Sequence, residues 1–174
     1  MKKISLILAV MLLSLTALTA CSETSDVKVP NGMQLCTNDV INYNLFVPDD
    51  WTPSISTGAV GAYCSAEDPT NVTVMAWNVD SSMTLDLWWE QYRSDFDMVF
   101  DEMNLISTEN ATLGDVAAQK YTYTAKLGEY EYYYVQCACI HWSMVYVLTF
   151  TSTTALYEQH EEELADIIEY FEFH

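Results

Sequence analysis

Residues 144–151 read MVYVLTFT. In an extended chain Met144, Tyr146, Leu148 and Phe150 fall on one side, with Val145 and Val147 on the other. Successive side chains of a strand point to opposite faces, so a strand that is apolar on both sides is covered above and below. The stretch is therefore a central strand. The rest of the chain must supply its neighbours and a cover for each face.

The neighbours lie on both sides of it in sequence. Residues 130–142, 116–125 and 105–112 read as the earlier strands of an antiparallel meander, with turns at Leu113-Gly114-Asp115 and at Gly128. Tyr121 and Tyr123 alternate with Lys120, Thr122 and Thr124, which predicts one wet face on that strand. Residues 40–47, 58–64 and 72–79 read as three more strands, the first ending in a turn at Pro48-Asp49-Asp50-Trp51.

The covers are two helices. Over 84–103, Leu85, Trp88, Tyr92, Phe96, Val99 and Met103 recur every three or four residues and form one apolar stripe. Thr84 suits the N-cap. Over 155–170, Tyr157, His160, Leu164, Ile167, Ile168 and Phe171 form a second stripe, opposite Glu161, Glu162, Glu163 and Glu169, with Ser152 or Thr153 as its cap. No segment repeats at a period of 20–50 residues, which excludes solenoids and propellers. The predicted class is α+β, a central antiparallel sheet flanked by helices.

The N-terminus carries an address. Lys2 and Lys3 precede an apolar run from Ile4 to Leu18, the pattern of a secretory signal. The run is short for a membrane span, which needs about 20 apolar residues. Leu18-Thr19-Ala20-Cys21 resembles the lipobox of bacterial lipoproteins. The resemblance implies that residues 1–20 are removed and that the Cys21 thiol takes a diacylglyceryl group. Two acyl chains, at about 0.8 kcal/mol per buried methylene, give stable anchoring. Residues 21–34 then form the lipidated cysteine and a polar tether, and residues 35–174 one globular domain. The expected location is the extracytoplasmic face of a cell membrane.

Composition narrows the partners. Six basic residues stand against 25 acids, a net charge of −19. Such a chain repels nucleic acid and anionic headgroups. Half of it is hydrophobic and 13% aromatic, so it folds rather than remaining an acidic disordered tail. Beyond Cys21 the cysteines are Cys36, Cys64, Cys137 and Cys139. In an oxidising compartment Cys36 and Cys64, which flank early strands, form the best candidate disulfide, with free buried thiols as the alternative. Cys137 and Cys139 share a strand face and would make a strained bridge.

Catalytic and metal chemistry have no sequence signature here. The three histidines, His141, His160 and His174, have no nucleophile at a recognised spacing, and no G-x-S-x-G occurs. His160 reads as a packing or surface residue. Asp95, Asp97 and Asp101 lack the glycine of a calcium loop and fall on the predicted helix, where residues two apart point different ways. Cys-x-Cys alone lacks a second ligand pair, so no metal site and no cofactor are expected. Trp51, at its turn, is the candidate exposed aromatic for partner binding.

Three segments together carry a wider resemblance: Val47-Pro48-Asp49-Asp50-Trp51, Tyr146-Val147-Leu148-Thr149-Phe150-Thr151-Ser152, and Ile167-Ile168-Glu169-Tyr170-Phe171-Glu172-Phe173. In this order, with a helix midway, the chain is similar to the PsbP-like superfamily, which includes many small bacterial lipoproteins. Tyr170 stands where many relatives have Ser. The resemblance covers roughly residues 38–173. It implies a three-layer α/β/α sandwich and non-catalytic binding or assembly at a membrane surface. The expected function is a surface-anchored, monomeric module that binds another envelope protein. The alternative is a small-ligand or cation-binding lipoprotein.

Overall fold

The computed structural model describes residues 27–38, 40–56 and 58–174. Cys21, the signal and most of the tether lie outside the described residues. Among the described residues, ten strands and three α-helices follow in chain order, with one short 3-10 helix (Tyr157–Gln159) before the last α-helix. They are β1 (Met33–Cys36), β2 (Tyr43–Pro48), β3 (Thr52–Ser56), β4 (Ala59–Tyr63), β5 (Asn71–Asn78), α1 (Leu85–Ser94), α2 (Phe96–Val99), β6 (Glu102–Leu113), β7 (Val116–Leu127), β8 (Tyr130–His141), β9 (Met144–Thr153), α3 (Glu161–Tyr170) and β10 (Glu172–Phe173).

Seven strands form one sheet in the order β3-β4-β5-β9-β8-β7-β6, and β1-β2-β10 form a second, smaller one. β9 has three strands on each side, as its two-sided pattern predicts. Tyr146, Leu148 and Phe150 join one buried cluster, with Leu45, Leu164, Ile167 and Phe171. Val145 and Val147 join another, with Trp88, Trp89, Tyr121 and Tyr123. Residues of α1 thus share a cluster with Val145 and Val147, and residues of α3 and β2 share one with Tyr146, Leu148 and Phe150. Thr122, on the face away from Tyr121, is buried as well, so β7 is drier than its alternation predicts.

Three local readings are revised by long-range pairing. The helix predicted to reach Met103 ends at Ser94, and only a four-residue turn of helix follows. Glu102 instead pairs with Lys126 and opens β6, and Met103 packs into the α1-side cluster from a strand. Its helical spacing was therefore fortuitous. β1 begins at Met33, inside the predicted tether, because it finds a partner in β2. α3 starts at Glu161, so Ser152 caps nothing; its Oγ lies 2.7 Å from Thr70 Oγ1. The Thr84 N-cap forms as expected, its hydroxyl accepting from Leu87 N at 3.2 Å.

Two edge features bound the sheet. β3 is short, exposed and carries Pro53, which blunts further pairing. In β4, a Cβ at Gly61 would stand 2.1 Å from the Val72 carbonyl oxygen, so only glycine lets β4 and β5 approach this closely.

Candidate functional site

Two clusters stand at opposite ends of β9. At the Phe150 end, α3 opens on His160, which is 7% exposed. Its Nδ1 lies 2.5 Å from Glu163 Oε2, one turn along the helix, and its Nε2 lies 2.8 Å from Asp68 Oδ2. Asp68 sits in the loop between β4 and β5. That loop is closed by Cys64 N donating to Thr70 O and by Thr70 N donating to Asp68 Oδ1. Cys64 stands at the loop's entrance, and its Sγ lies within 4.8 Å of the ligand atoms of Asp68 and His160. The Trp51 ring meets the His160 ring edge-on, with centroids 6.0 Å apart.

Electrostatics favour a charged imidazole here. Burial alone would lower the His160 pKa, but hydrogen bonds and charges from Glu163 and Asp68 outweigh it and hold it above its ordinary value. Asp68 is likewise pushed up by burial, yet its bonds to Thr70 and His160 bring it below its ordinary value. Burial, then the charges of Asp68, Glu163 and Asp50, raise the Cys64 thiol. Nucleophilic catalysis by Cys64 would need a free histidine nitrogen facing it. Both nitrogens of His160 are engaged by carboxylates, so the cluster is a charged clamp or a donor set, not a thiol-activating dyad.

At the Met144 end, β8 and β9 are joined by the two residues Trp142 and Ser143, with φ of 49° and 61°. His141 pairs with Met144 across the turn. Such a turn favours Asn-Gly, because non-glycine residues at positive φ are strained. A tryptophan there is held in place: its ring lies 3.9 Å from the His141 ring centroid and 5.7 Å from that of Phe173. It is still 54% exposed. Beside Phe173, between the β6–β7 turn and the end of α3, lies an open groove of about 640 Å³, whose lining includes Asp115, Glu169, Glu172 and Lys120.

The site residues expected from sequence fall differently. Trp51 is 2% exposed and packs on Phe150, so it is a core residue with no face for a partner. The Pro48–Trp51 turn that seemed to present it is folded inward, its carbonyls gathered by the Gln34 side-chain amide. Cys36 and Cys64 are free thiols. Register places Cys36 opposite Leu45 in β2, whereas Cys64 follows the Tyr63–Thr52 pair beyond the Trp51 turn. Trp142 was missed as a site residue, although a two-residue gap between alternating runs marks a tight hairpin whose tip residues are exposed. His160 reads from sequence as a packing or surface residue, because nothing local signals an aspartate 92 residues earlier.

Sequence comparison finds no matching family model and no matching curated protein. Solved structures do match, and they show the fold: it is PsbP-like. Cyanobacterial PsbP from Synechocystis superposes with a TM-score of 0.62 at 12% identity, over 82% of this chain and 93% of that one. LpqN of Mycobacterium tuberculosis, described as involved in cell envelope biogenesis, gives 0.61 at 15% identity, over 82% and 91%. The Ran-binding protein Mog1p of Saccharomyces cerevisiae gives 0.60 at 7% identity, over 81% and 95%. An α+β fold built on antiparallel sheet is thereby established. No helix among the described residues is long and apolar enough to cross a membrane.

Proposed function

We propose that this chain is a non-catalytic envelope module, anchored by lipid on Cys21, that binds another extracytoplasmic protein through the tip at Trp142. In this reading the body has three layers: α1 on one face of the sheet, and α3 with the small sheet on the other. The observation that carries the proposal is the exposed tryptophan held at positive φ. Backbone strain of this kind persists only where surrounding structure enforces it, and it clusters at functional sites. The acids of the neighbouring groove favour a partner that offers a basic segment beside an apolar anchor. The PsbP-like fold and the involvement of LpqN in cell envelope biogenesis support the location and the lack of chemistry.

Converting the tip to Asn-Gly, Trp142→Asn with Ser143→Gly, tests this directly. Relief of two residues from the left-handed region is worth about 1–2 kcal/mol each. It offsets the loss of a half-buried ring, of order 1–2 kcal/mol. Folding stability should therefore be unchanged or rise by up to about 3 kcal/mol. Crosslinking in intact cells should trap one stoichiometric partner with the parent and none with the double variant. Equal capture by both would refute the tip as the contact. Mass spectrometry of the native protein checks the anchor: a diacylglyceryl group on residue 21 is expected, and an unmodified thiol there removes it.

A further inference from the structure

We propose that Cys64, Asp68 and His160 bind a thiophilic divalent transition-metal ion, Zn²⁺ being the representative. The inference stands apart from the Trp142 tip, and either can fail without the other. Thiolate, imidazole and carboxylate are all zinc donors, with bonds of about 2.0–2.3 Å, which sets ligand atoms roughly 3.3–3.8 Å apart in a tetrahedron. Here the three donor atoms lie within 4.8 Å of one another, with Nε2 and Oδ2 at 2.8 Å. An ion enters if that closest pair opens by less than about 1 Å, which side-chain rotation in the loop supplies.

The surroundings match what an ion needs. Glu163 holds Nδ1, and a carboxylate on the far nitrogen of a ligating histidine fixes the tautomer that turns the Nε2 lone pair toward the metal. Trp51, whose ring meets the same imidazole edge-on, has a buried Nε1 with no hydrogen-bond partner among the described residues. A buried donor of this kind is uncommon in folded proteins. Glu163 also forms part of an open depression of about 380 Å³ shared with Asp49, Asp50 and Asp166, an acidic approach that concentrates cations.

Binding is a balanced exchange. One M²⁺ enters, and two protons leave to solvent, one from the Cys64 thiol and one from His160 Nε2. The bonds formed are metal–sulfur, metal–nitrogen and metal–oxygen, and the net charge of the cluster is unchanged. The ion ties the β4–β5 loop to the start of α3, so it stabilises the fold as it binds.

Cobalt(II) titrated into the metal-free chain is the test. One equivalent should give the intense visible bands of tetrahedral cobalt and a near-ultraviolet thiolate-to-cobalt charge-transfer band, both bleached by added Zn²⁺. Cys64→Ser should lose the charge-transfer band, and Cys36→Ser should keep it. Glu163→Gln, at a partly exposed position that leaves the fold intact, should weaken cobalt binding about 10–100-fold. A weak octahedral cobalt spectrum, or a charge-transfer band that survives in Cys64→Ser, overturns the proposal.

Discussion

Trp51→Ala should cost about 3–5 kcal/mol of folding stability, the range for truncating a fully buried aromatic. Most single domains have only about 5–15 kcal/mol to lose, so the variant should sit near the edge of unfolding. The reason is position. Trp51 lies between Phe150, 6.4 Å away on the central strand, and His160, 6.0 Å away at the start of α3. It fills the space where the sheet, the β2–β3 turn and the closing helix meet. Trp51→Phe keeps most of that volume and should lose less than half as much. Urea denaturation of the three proteins decides it. A surface tryptophan would change stability by no more than about 0.5 kcal/mol on truncation, and that result would return Trp51 to the list of binding residues.

The second large effect is on the clamp, and it depends on pH. In the metal-free protein His160→Gln should cost about 2–3 kcal/mol near pH 5.5, because two charge-assisted hydrogen bonds are lost while the carboxylates stay half-buried. His160 is raised above its ordinary 6.5. Its contribution is therefore complete below pH 6.5 and fades as pH rises through the folded-state value. Asp68 is lowered from its ordinary 3.8. Its contribution is present above that value and fades as pH falls through the folded one. The window of full stabilisation is thus bounded by 3.8 and 6.5. The other groups facing the imidazole are Glu163 and Cys64, with Asp50 nearby; the thiol, raised above its ordinary 9.0, stays protonated across this range. Denaturation at pH 5.5 and pH 8.5 should show the parent losing stability with alkalinity and His160→Gln losing much less. Parallel profiles would dismiss the clamp.

The helices show where local reading succeeds and where it stops. The α3 stripe of Leu164, Ile167 and Phe171 is buried as its spacing predicts, because an amphipathic face needs only one apolar surface to meet. Thr84 caps α1 for an equally local reason. The 84–103 stripe misled beyond Ser94 because a strand and a helix can both deliver Met103 to the same cluster. The choice between them was made by β7, through hydrogen bonds to residues more than 20 positions away.

The sequence by itself determined that β9 is central, that helices cover the sheet, that the body is acidic, and which segments resemble a PsbP-like domain. The first three follow from periodicity or composition, which are properties of neighbouring residues; the last is a resemblance carried by three short segments. Tertiary structure decided that Trp51 is buried, that Trp142 is the exposed aromatic, and that Cys64, Asp68 and His160 stand together. These are meetings of distant segments, and strand register and chain closure set them; no local pattern of side chains encodes which loop will face which helix end.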